Sequence, residues 1–168
     1  SIYNTADKYV QKIVKPSKKE IKNILLWRPS DISEIEGVTL KGGNWIILIK
    51  ASTNVLKGDN FVFVYPELLQ NKIIGRKGED ITSEIIADNE LDYKNINLKI
   101  RTLLRQTSDN IKSRGSIVNE ITTRGDFIKK IVDSLENNQN IKYRLEVVSL
   151  KDSKTVDPVI VDLNVTKK

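Results

Sequence analysis

Apolar and polar residues alternate most regularly near the C-terminal end of the chain. Ile141, Tyr143, Leu145 and Val147 are interleaved with Lys142, Arg144 and Glu146, and Val159, Val161, Leu163 and Val165 repeat the rhythm. A period of two belongs to a strand with one buried face, so residues 141–168 predict a hairpin. Lys151–Thr155 is its loop, and Pro158 marks an edge or an irregular start. Asp126–Asn137 follows a helical period instead: Phe127, Ile128, Ile131, Val132 and Leu135 share a face, and Asp126 sits at the favourable end of the dipole. Residues 79–88 are expected as a further helix, with Ile81, Ile85 and Ile86 on one side. Residues 95–104 fit either state, because Ile96, Leu98 and Ile100 alternate while Leu103-Leu104 would close a helical stripe. A polar loop at 105–115 and a weak strand at 117–123 follow.

In the N-terminal part, residues 7–14 predict a short helix edged by Tyr9, Val10, Ile13 and Val14, interrupted by Pro16. Ser17-Lys18-Lys19-Glu20 fits a capping box opening a second helix, with Ile21, Ile24, Leu25 and Trp27 as its apolar stripe. Pro29 ends that helix by forcing its predecessor out of the helical region. Val38–Leu40, Trp45–Lys50 and Asn60–Tyr65 are strand-like, with glycine-containing turns between them. Phe61 and Phe63 share one face of the third, Val62 and Val64 the other, and both faces read as covered. The expected fold class is α+β: short N-terminal helices, a small mixed or antiparallel sheet with packed helices, and a C-terminal β-hairpin. The segments are 1–58 (basic helical segment plus hairpin), 59–140 (α/β core) and 141–168 (hairpin), or all of them form one compact domain.

Composition removes chemistry more than it suggests it. None of the 168 residues is His, Cys or Met. Disulfides, thiolate catalysis, Cys/His zinc sites and imidazole acid–base chemistry are therefore excluded. The longest apolar run, Trp45–Ile49, is far short of the roughly 18 residues of a membrane-spanning helix. A chain without Met points to a processed or trimmed product, which leaves the compartment open, the cytoplasm being favoured. Ile, Lys and Asn dominate and Ala is scarce, as in AT-rich genomes of phages and mobile elements.

The net charge of +6 is not spread evenly. Residues 1–28 carry +5 and the other 140 only +1. The basic character is thus an N-terminal property, with Lys18, Lys19 and Lys22 on the outward side of the expected second helix. The same placement fits an ordinary solvated helix face.

One motif carries a mechanism. Asn60-Phe-Val-Phe-Val-Tyr-Pro66 leads through Leu69 into Ile73-Ile74-Gly75-Arg76-Lys77-Gly78-Glu79-Asp80-Ile81. Two glycines three apart let backbone approach a phosphate closely, and a helix N-terminus behind them would offer free N–H groups. This stretch resembles the KH family of nucleic-acid-binding domains, over about residues 60–138. The resemblance implies single-stranded RNA or DNA as partner. Phosphate would dock at Gly75, Arg76, Lys77 and Gly78, with Leu69, Ile73, Ile74 and Ile81 shaping a groove for bases. Residues 60–138 carry zero net charge, so Lys18, Lys19 and Lys22 are expected to assist. Equally, Gly75 and Gly78 could serve only to shape a tight turn.

The alternative is a structural or assembly protein of a phage, virus or mobile element, acting through self-association or contacts with other subunits. The β-rich ends, the terminal hairpin and the absence of reactive side chains favour it, with the Val-rich strand 159–165 as an edge to bury. Trp27 and Trp45 are expected as core or interface anchors. Catalysis would have to rest on Asp92-Tyr93-Lys94 with Asp59 or Glu79 around Mg²⁺, a spacing that solvated turn residues explain better. No enzyme activity and no cofactor are expected.

Overall fold

The structure, a computed structural model, describes residues 2–17, 23–135 and 141–168. The chain is α+β, with helices packed on small mixed and antiparallel sheets. It divides into two compact units, Ser1–Gln70 and Asn71–Lys168. The divide falls between Gln70 and Asn71, and the C-terminal hairpin shares a sheet with the segment after the glycine loop.

The first unit opens with α1 (Ile2–Val14), then β1 (Leu25–Leu26), α2 (Pro29–Leu40), β2 (Trp45–Ala51) and β3 (Val62–Gln70). Ala6, Val10 and Val14, spaced by four, turn toward Ile24, Leu25, Val62 and Val64. Tyr9 and Ile13, expected on the apolar edge, are exposed. The second expected helix is not formed by its described residues. Both Ile24 and Leu25 are buried in extended chain, their N–H groups donating to the buried carboxylate of Asp7 at 2.8 and 2.9 Å. Val62 N–H in turn donates to Ile24 O. These long-range bonds hold the backbone extended against its local pattern. The Ser17 hydroxyl donates to Gly58 O, and the rest of the capping box, with Lys18, Lys19 and Lys22, lies outside the described residues.

Pro29 begins a helix rather than ending one. It occupies the first turn of α2, where a missing N–H is harmless. Buried Asp31 in the same turn binds Arg28. Val38–Leu40, expected as a strand, forms the last turn of α2. Gly42 and Gly43 both adopt positive φ in the link to β2.

The second unit contains β4 (Ile73–Gly75), β5 (Asp80–Ala87), a short 3₁₀ turn, α3 (Tyr93–Ser113), β6 (Ile121–Thr123), α4 (Phe127–Asp133), β7 (Lys142–Ser149), β8 (Ser153–Lys154) and β9 (Val159–Lys167). Strands β5, β7, β9 and β6 lie in that order in one sheet, and β4 pairs with β8. The alternating residues of the C-terminal segment form the expected hairpin, with Leu145 opposite Val165 and Val147 opposite Leu163. Leu145, Val147, Val159 and Val161 are wholly buried against Ile96, Leu103, Ile111 and Ile131.

Residues 79–88 are mostly strand, not helix. Ile81 and Ile86 are both buried, although an odd separation would place them on opposite faces of a regular strand. A register shift between Asp80 and Thr82 reconciles them, because the extra residue turns Ile81 inward. The bulge thus mimics a helical spacing, while the β-branched Ile81, Thr82, Ile85 and Ile86 suit the sheet. Residues 95–104 resolve the other way. Ile96, Leu103, Thr107 and Ile111 form the buried stripe of a 21-residue helix, and Leu98 is exposed. The expected loop at 105–115 is largely the end of this helix. For α4, Asp126 accepts from the N–H groups of Ile128 and Lys129, as its position implied. No helix among the described residues is long and apolar enough to cross a membrane.

Candidate functional site

The glycine loop joins β4 to β5, so a strand follows it where the KH arrangement has a helix. The helix N-terminus expected to receive phosphate is therefore not at this loop. Gly78 has φ +80, the left-handed geometry that a side chain disfavours, whereas Gly75 has ordinary φ. The loop N–H groups are engaged within the chain. Arg76 N–H donates to Glu79 Oε2 at 2.8 Å, Lys77 N–H to Asp152 Oδ1 at 2.8 Å, Gly78 N–H to Ser149 O at 2.7 Å and Glu79 N–H to Arg76 O at 3.0 Å. Two carboxylates thus hold amides that a bound phosphate would need.

Glu79 is the centre of this arrangement. Its second oxygen accepts from Arg114 Nη1 at 2.6 Å, and the same nitrogen donates to Ile74 O at 3.1 Å. The hydrogen bond from Arg76 N–H, reinforced by Arg114, holds the Glu79 carboxyl below its ordinary range against the opposing effect of partial burial. Lys72, Arg76, Arg114, Glu79 and Ile73 line a shallow cleft of about 300 Å³ beside the loop, together with Ile74 and Gly75. It carries three cationic side chains and one carboxylate. Ile74 and Ile81, expected to shape a base groove, are core residues of the second unit. Leu69 is half-buried in β3, in the first unit, opposite Ile46.

The residues weighed for metal chemistry serve local structure. Asp92 caps α3 by accepting from Asn95 N–H, and Asp59 accepts from Leu56 N–H in a turn. Among the described residues no group of three or more acidic side chains is placed to share a metal ion.

A second candidate surface lies on the first unit. Val62 and Val64 of β3 are buried, while Phe63 is 60% exposed, and the preceding Phe61 and the following Tyr65 are exposed too. One face of β3 is therefore open, contrary to the expectation that both are covered. Phe63, Tyr65, Leu26, Trp27 and Arg28 border a groove of about 440 Å³ together with Ser52, Thr53 and Val64. Trp27 is anchored edge-on against Tyr3, at 5.4 Å between ring centroids.

The sheet of this unit has the order β1-β3-β2, so β2 has one strand neighbour among the described residues. Ser52 N–H donates to Phe63 O. With the observed register, Lys50/Tyr65, Leu48/Glu67 and Ile46/Leu69 are then the hydrogen-bonded pairs. The intervening Trp45, Ile47, Ile49 and Ala51 direct their N–H and C=O groups away from β3. On the far side of β3, Pro66 stands at a position that faces away from β2, where its lack of an N–H leaves the ladder whole. The run Trp45–Ile49 announced a strand, but nothing in its apolar pattern told an edge from a centre.

No family model, curated protein or solved structure significantly matches the chain.

Proposed function

We propose that this chain is a non-enzymatic assembly protein that binds polypeptide partners through the β2–β3 ribbon of its first unit. The observation that carries the proposal is the pairing of an open aromatic face, Phe61, Phe63 and Tyr65, with an apolar strand edge, Trp45–Ala51, that has no second strand neighbour among the described residues. Burying aromatic and aliphatic surface drives association without need of charge, and an unpaired edge fixes its geometry. Light scattering on the full chain at rising concentration, repeated in about 1 M salt, tests this, since such contacts resist screening. A defined oligomer that persists is expected. A monomer throughout removes self-association from the proposal, and a salt-dissolved oligomer removes its apolar basis.

A second proposal is single-stranded nucleic acid, favoured by the side chains of Lys72, Arg76 and Arg114 around one cleft. Phosphate would meet these side chains rather than the loop amides, with Lys77 adding long-range attraction. Titration with a single-stranded oligonucleotide across salt concentrations decides it. Binding that weakens steeply with salt, and that Arg76→Asp with Lys77→Asp abolishes, would support this second proposal; a slope near zero would dismiss it.

A further inference from the structure

We propose that the occupant of the open β2 edge is the same edge of a second copy, paired antiparallel about a two-fold axis at Leu48. This rests on the assembly proposal above and adds partner, element and register to it.

Leu48 is the midpoint of the seven-residue β2, so a two-fold there pairs the whole strand, and the outward-pointing groups agree with that register. Trp45, Ile47, Ile49 and Ala51 offer their N–H and C=O groups to a new neighbour, as the β2–β3 ladder requires. A two-fold at Leu48 sets Trp45 opposite Ala51 and Ile47 opposite Ile49 of the other copy. All four are outward-facing, so each such pair exchanges hydrogen bonds, and the alternation of an antiparallel ladder continues unbroken. The remaining pairs, Ile46 with Lys50 and Leu48 with Leu48, fall at non-hydrogen-bonded positions, where side chains approach most closely.

Charge selects the same arrangement. Lys50 is the one charged residue of β2, and it already pairs with Glu67 on β3. Antiparallel pairing keeps the two Lys50 side chains at opposite ends of the new ladder, each facing an isoleucine. Parallel in-register pairing would stack them side by side. Without an acidic residue on β2, the edge has no feature that selects a basic partner strand. Its apolar side chains on both faces match a copy of themselves.

The register yields a charge-based test. Because position 46 faces Lys50 of the other copy, Ile46→Lys should weaken the dimer about tenfold or more, whereas Ile46→Glu should keep it at low salt and lose it as salt rises. Ile47→Pro removes an outward N–H that β3 does not use, and should abolish pairing while circular dichroism stays unchanged. Sedimentation equilibrium of the full chain and each variant, between about 1 and 100 μM, reads all three. Equal weakening by Ile46→Lys and Ile46→Glu overturns the Leu48 register. An oligomer indifferent to all three changes overturns the edge while the assembly proposal stands, and a wild-type chain that stays monomeric overturns this inference. If Ile47→Pro unfolds, the two Ile46 variants, at a half-exposed position, decide the matter alone.

Discussion

Glu79 and Arg114, thirty-five residues apart in sequence, meet at 2.6 Å, and Glu79 uses its other oxygen to hold the N–H of Arg76. An acidic residue beside the glycine loop therefore acts as the loop's own anion.

Glu79→Gln should lower stability by about 1 kcal/mol at neutral pH, because its single amide oxygen can accept from only one of Arg76 N–H and Arg114, and without charge, on a partly exposed group. The folded-state pKa of Glu79 is depressed, so its contribution is present above the ordinary carboxyl value and fades as pH falls through the lowered one. Urea titrations of both proteins should differ steadily from about pH 6 to 8, and the gap should begin to close only as pH falls below the ordinary carboxyl value of about 4.3. A gap that widens in acid would refute the assignment.

The two loop glycines should respond differently. Gly78→Ala places a side chain at φ +80 and should cost about 1 kcal/mol. A Cβ on Gly75 would stand 3.6 Å from Ser149 Oγ, an ordinary contact, so Gly75→Ala should stay within about 0.5 kcal/mol. Thermal unfolding of the pair measures the contrast.

Asp7→Ala should be among the most destabilising single changes in the first unit, on the order of 3 kcal/mol, because it strands the buried N–H groups of Ile24 and Leu25. Trp27 follows shortly after and is held against Tyr3, so its fluorescence should report the loss during denaturant titration.

Neighbours on β3 should diverge as well. Val64→Ala removes buried methyl groups and should cost about 1–2 kcal/mol. Phe63→Ser acts on an open face, so its stability should remain within about 0.5 kcal/mol of the wild type. Denaturation midpoints that moved equally would mean that both faces of β3 are covered.

The C-terminal hairpin was legible because Ile141 to Val147 and Val159 to Val165 alternate without interruption, and one continuous core buries their inner face. Asp126 was legible as a cap for the same local reason. The strand at 80–87 was not, since a bulge moves Ile81 onto the face of Ile86 and the apolar spacing then imitates a helix. Nor was the extended chain at Ile24, whose conformation depends on Asp7, seventeen residues away. For the glycine loop, the residues were visible in the sequence but their engagement was not. Asp152 reaches Lys77 across 75 residues, and no local pattern encodes that meeting.

Pro66 has a consequence for stoichiometry. It sits on the side of β3 away from β2, where, among the described residues, β1 pairs with Val62 and Phe63. A strand arriving there would meet a residue with no hydrogen to give, in the middle of the ladder it needs. Among the described residues, β2 is therefore the side at which the sheet of the first unit is better suited to extension. Under the proposed pairing, strand addition at β2 would use up that side in both participants at once, so growth by this route would close at two chains rather than propagate into a fibre.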